Sequence, residues 1–205
     1  MSHSVGVLIT RLLQIVREPL KPGCEAAYDA IERDQAHIST AFGCPHPYLA
    51  AEAVTGAKEV WWFNGYESED DRQQVYAAYA KNAPLLDALQ KNSADKTTLT
   101  LPAIEALARY QSHEGGIAPW TVGLGRFLVI AVTRDDRTIN GTVFATADGT
   151  RYIVSAAGTR AEADALRARI GAEATVLAVR PDWSFPDSSW LDADPLFWSE
   201  QASRD

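Results

Sequence analysis

Leu12, Leu13, Ile15 and Val16 crowd residues 12–18, and Pro19 and Pro22-Gly23 follow. That pattern predicts a strand closed by a turn. Over residues 25–42 the period changes. Tyr28, Ile31, Gln35, Ile38 and Phe42 recur at three- and four-residue steps, with Glu32, Arg33 and Asp34 on the other side. This predicts an amphipathic helix that Gly43 ends. Residues 48–54 read as a second strand and Thr55-Gly56 as a turn. A third strand holds Val60-Trp61-Trp62-Phe63 and extends to Tyr66. Val60, Trp62 and Tyr66 share one face, Trp61 and Phe63 the other, so this strand is expected to be buried on both sides. Ser68 caps a second helix with Glu69, Asp70 and Asp71 in its first turn, where the helix dipole favours anions. Pro84 must kink or restart that helix. A short strand over residues 106–111 closes the first half.

The order β-α-β-β-α-β over residues 1–111 is that of a ferredoxin-like unit. Residues 112–124, polar and bearing Gly and Pro, read as a linker. Residues 125–181 start again with a strand over 126–133. The pair Asp148-Gly149 lies between two further strand segments and is a strong hairpin signal. Thr159 with Glu162 makes a capping box for a helix through Ile170. A last strand covers 174–180. The second half reads β-β-β-α-β, like the first unit without its first helix. The fold class is therefore α+β: a ferredoxin-like barrel unit followed by a smaller related unit. Residues 182–205 form a tail carrying Trp183, Phe185, Trp190, Phe197 and Trp198. Aromatics at that density seldom stay in water. The tail is expected to pack across its own domain, swap onto a partner, or cover a pocket.

The first half resembles the dimeric α+β barrel superfamily, which includes the antibiotic-biosynthesis-monooxygenase-like and NIPSNAP-like families. The element order, the aromatic third strand and the Ser68-Glu69-Asp70-Asp71 helix start carry the resemblance. It implies two sheets packed face to face, within one chain or in a homodimer, and a cavity between a sheet and its helices. Heme-degrading members use an Asn on the first strand, a His on the second helix and a Trp on the third strand. Trp61 or Trp62 matches the last, but the first strand offers Gln14 and residues 68–92 hold no histidine. Heme degradation by that route is not expected.

Composition narrows the function. The 205 residues are 46% hydrophobic and 22% charged, enough to bury a core, with a net charge of −8. No basic run suggests nucleic acid, and no run reaches the ~18 apolar residues of a membrane span. Two cysteines, Cys24 and Cys44, read as reduced thiols of a cytoplasmic protein. Cys44-Pro45-His46 with His37 falls short of a metal site for want of a fourth ligand, and no cofactor motif occurs. Trp61, Trp62, Asn64 and Tyr66 are the expected ligand pocket, since Trp and Tyr give a flat apolar wall with a polar handle. His37, three residues after Asp34, is the candidate general base. Two functions follow. One is a small-molecule-binding protein acting as a cofactor-independent, monooxygenase-like enzyme on an apolar or aromatic substrate. The other is a non-catalytic assembly protein using the tail. A ligand pocket of several hundred Å³ favours the first, and a barrel filled with side chains favours the second.

Overall fold

Strands that are apolar on both faces need a core on each side. The computed structural model describes residues 10–114, 123, 125–135 and 141–199. Its first half runs β1 (Leu12–Pro19), α1 (Glu25–Ala41), β2 (Leu49–Ala53), β3 (Glu59–Tyr66), α2 (Glu69–Lys81), α3 (Ala83–Asn92), α4 (Lys96–Leu99) and β4 (Ile104–Glu114). The remainder runs β5 (Phe127–Thr133), β6 (Gly141–Ala145), β7 (Arg151–Ala157), α5 (Arg160–Ile170), β8 (Thr175–Val179), α6 (Ser188–Ala193) and α7 (Pro195–Ser199). The fold is α+β. Its eight strands close into one barrel in the order β1-β3-β2-β8-β5-β7-β6-β4. β4 returns to β1, with Leu12 opposite Arg109. β8 joins the halves by pairing with β2 on one side and β5 on the other.

The inner face of the barrel is one core. Leu13, Ile15, Trp61 and Phe63 meet Leu128, Ile130, Phe144 and Leu177 there. The outer face is covered by helices. Tyr28 of α1 packs on Leu20, Ala50 and Val60. Val75 of α2 packs on Leu12 and Tyr66. Ala163 of α5 packs on Val129, Ala131 and Val176. Asn82 caps α3 through its side chain and Pro84 sits in the first turn, so the proline restarts the helix rather than bending it.

The tail packs on its own chain. Trp190 and Trp198 join the inner core, their ring centroids 5.5 Å apart. Trp183 lies outside, against Tyr28 and beneath the Arg180 guanidinium at 3.7 Å. Arg180 also binds Asp29 of α1, Glu52 of β2 and Asp182, which ties the start of the tail to the first half. Backbone bonds between Tyr48 and Phe185 extend that tie. At Gly123, where φ is +92°, an added Cβ would lie 2.1 Å from the Trp190 ring, so only glycine fits under the tail.

Three sequence expectations are corrected. The fourth strand is longer than residues 106–111 and absorbs Ser112, His113 and Glu114 from the expected linker; residues 115–122 and 124 lie outside the described residues. The short helix α4 precedes it, where no element was expected. On α1 the buried positions are Tyr28, Glu32, Ala36 and Ser39, whereas Phe42 is 44% exposed. Glu32 thus faces the sheet rather than water, because a cation awaits it there. Among the described residues no helix is long and apolar enough to cross a membrane.

Because Trp198 fills the barrel interior, Trp198→Ala should cost about 3–5 kcal/mol of unfolding free energy. Urea denaturation of the full chain measures it. An unchanged midpoint would mean that α7 is not part of the core.

Candidate functional site

Side chains alternate across a strand, so β1 and β3 each send every second residue away from the barrel core. Ile15 and Trp61 point inward, while Val16 and Trp62, directly opposed in the β1–β3 register, point toward the helices. Between that outer face and the helices lies a cavity of 280 Å³. Val16, Glu18, Trp62 and Asn64 form its floor. Gln35 and Ser39 reach it from α1, one turn apart. Tyr48, Tyr79, Leu89 and Lys96 complete the lining.

One end of the cavity is a buried ion cluster. The Lys96 ammonium lies 2.9 Å from Glu18 Oε2 and 2.7 Å from Glu32 Oε1. It also stands over the rings of Trp62 and Tyr28, at 5.0 and 5.2 Å. The Tyr28 hydroxyl and the Trp62 indole N–H both donate to Glu18 Oε2. Burial pushes the Glu32 carboxyl above the usual range, against the pull of Lys96. Burial also opposes the Lys96 charge, but Glu32 and Glu18 outweigh it and raise that pKa. The phenols of Tyr28, Tyr48 and Tyr79 are all raised, chiefly by burial, so each stays protonated.

The rest of the wall is made of aromatic rings and hydroxyls. Tyr48 and Ser39 share a hydrogen bond of 3.0 Å. The Tyr79 hydroxyl and the Cys44 thiol are 2.8 Å apart. By contrast, the side-chain amides of Asn64 and Gln35 make no hydrogen bond with any described residue. Both amides border the cavity.

Of the residues expected from the sequence, Trp62 and Asn64 line the cavity. Trp61 lies on the opposite face, in the barrel core. Its indole N–H donates to Glu59 and the Arg17 guanidinium stands 4.4 Å over its ring. Tyr66 faces outward but beyond the cavity, stacked on His46 at 4.7 Å with its hydroxyl on Gln14. His37 is exposed on α1 and does not border the cavity. The Cys44 thiol is engaged by Tyr79 and the His46 carbonyl, and burial lowers the His46 pKa toward a neutral ring. Glu18, Gln35, Tyr48, Tyr79 and Lys96 were not expected. Glu18 did carry a signal: it is a carboxylate on the helix-facing side of an apolar strand.

No protein-family model and no curated protein matches the sequence. Solved structures do. A Fusobacterium nucleatum protein named "putative monooxygenase" is 10% identical, with a TM-score of 0.50 over 83% of this chain and 92% of its own. A Lactobacillus acidophilus protein of the same name is 6% identical, with a TM-score of 0.47 over 86% and 96%. A NIPSNAP family protein of unknown function from Agrobacterium tumefaciens is 17% identical, with a TM-score of 0.39 over 53% of this chain and 94% of its own. The likeness to the Fusobacterium protein is one of fold.

The ion cluster has a pH signature. Glu32 has a raised pKa, so the folded state holds its proton more tightly than the unfolded state does, and stability falls as pH rises above the ordinary carboxylate range. Removing the cation should enlarge that penalty. Lys96→Met is expected to lose about 3–5 kcal/mol at pH 8, with the gap from the parent narrowing toward pH 5. Urea midpoints at both pH values test this, and a pH-independent gap would contradict it.

Proposed function

We propose that the chain binds a small molecule with an aromatic or apolar body in the cavity beneath α1 and α3. The observation that carries this reading is the pairing of aromatic walls (Tyr48, Trp62 and Tyr79) with the unpaired amides of Asn64 and Gln35 in a 280 Å³ space. A flat apolar wall binds by area, and a few placed polar groups orient what is bound. The described inward-facing residues form one packed core, and the cavity lies on the outer face.

We read the barrel as two related units, β-α-β-β-α-β and β-β-β-α-β. The strand order β4-β1-β3-β2 recurs as β8-β5-β7-β6, which supports that reading. Only the first unit has a helix between its first two strands among the described residues, and the cavity lies beneath that helix. With eight strands joined in one chain, no second copy is needed to complete the barrel; a homodimer would use some other surface. The tail aromatics Trp183, Trp190 and Trp198 are buried in their own chain, which takes away the motive for an assembly function. The reaction we assign to the cavity is oxidation without a cofactor, of the monooxygenase type, in which the substrate supplies all four electrons: one atom of O₂ becomes a new carbonyl oxygen of the product and the other leaves as water with two substrate hydrogens; the fold of the Fusobacterium protein supports it.

The test is titration of the full chain with 2-naphthol, followed by tryptophan fluorescence, beside Asn64→Leu. The variant should bind about tenfold more weakly, while its Tm moves by less than about 2 °C. Equal binding by parent and variant would sink the cavity assignment. Oxygen uptake on mixing with the bound phenol would support the oxidation, and binding without uptake would reduce the reading to a binding protein.

A further inference from the structure

Three donors converge on a single oxygen of Glu18. The Tyr28 hydroxyl, the Trp62 indole N–H at 2.9 Å and the Lys96 ammonium at 2.9 Å all meet Oε2. The other oxygen, Oε1, accepts no hydrogen bond from any described residue, although Glu18 lines the cavity and its side chain is only 15% exposed. A carboxylate with two oxygens has about four acceptor positions. Here one oxygen is crowded with donors and the other is left open. The crowding fixes the plane and rotamer of the carboxylate, so the open oxygen is held ready beside the cavity.

We propose that Glu18 is the anchoring acceptor of this cavity, and that the ligand it selects is an uncharged planar molecule bearing a hydroxyl or amino donor on an aromatic ring. The inference rests on the binding reading above and names its ligand class. The charge balance excludes the other classes. The Lys96 ammonium is already paired with Glu18 and Glu32, and Glu18 itself would repel an anion beside it. A cationic ligand would meet the Lys96 ammonium, which already occupies the face of the Trp62 ring. A neutral donor meets neither objection. Its O–H or N–H donates to Oε1 in a charge-assisted hydrogen bond.

The substitution Glu18→Gln gives a test that size alone cannot mimic. Trp62 and Lys96 can only donate, so both require an acceptor at the position of Oε2. The carboxamide must therefore turn its oxygen toward them and present its NH₂ to the cavity. Acceptor becomes donor with almost no change of volume. The probes are 2-naphthol, which donates, and 2-methoxynaphthalene, which cannot, titrated calorimetrically into the full chain. The parent protein should prefer the naphthol by about tenfold, and Glu18→Gln should erase that preference. The ratio in the parent protein needs no variant, so a poorly folded Glu18→Gln does not rescue the proposal. If the parent binds both probes alike, or if the ratio is the same in Glu18→Gln, Glu18 is not the anchor, while the cavity reading stands on the Asn64 result. If neither probe binds the parent protein, the anchor and the cavity reading fall together.

Discussion

A closed barrel has no free strand edge, and its interior must be filled. Both conditions follow from elementary costs. An unpaired strand edge invites aggregation, and a void loses the dispersion contacts of everything around it. Here the strands alone do not fill the ring. Trp190 and Trp198, supplied by two short helices after the last strand, join the core formed by residues such as Trp61, Phe63 and Phe144. The consequence for function is positional. With that interior packed, the cavity described above lies on the outer face, beneath α1.

That helix explains why the cavity is polar at one end. Glu32 on α1 and Glu18 on β1 both pair with the same lysine. Bringing charges out of water is costly, and their mutual attraction recovers the cost only with good geometry. The geometry is good here because Tyr28 and Trp62 supply further donors to the same carboxylate. The cluster holds α1, β1 and α4 together and also shapes the electrostatics of the cavity wall. Stability, and on the proposed reading recognition, therefore draw on the same three side chains.

Much of the architecture was legible in the residue pattern. The two-sided apolar third strand demanded two cores and received them. Thr159 and Glu162 form the capping box that their spacing predicts. Trp62 and Asn64 were readable as cavity residues because strand alternation places them together. Other features were not legible. The period of α1 put Glu32 among its solvated residues, since nothing local reveals that Lys96, more than sixty positions later, will neutralise it. Lys96 itself sits in a four-residue helix too short to show a period. Tyr48, between α1 and β2, and Tyr79, on α2, enter the site only once the chain has folded over the sheet. Whether the barrel would close within one chain also depended on long-range pairing, between β2 and β8 and between β4 and β6. Local sequence does not encode that.

The position of Trp198 also bears on how the molecule is made. Synthesis runs from the first strand to the last helix, so Leu13, Ile15, Trp61 and Phe63 leave the ribosome long before their partners. Until β5 to β8 and then Trp190 and Trp198 follow, the first half can form a sheet whose inner face is apolar and uncovered. Such a face is the kind of surface on which nascent chains aggregate. The aromatic residues that complete the core arrive last, and the growing chain must be kept from its neighbours until they do.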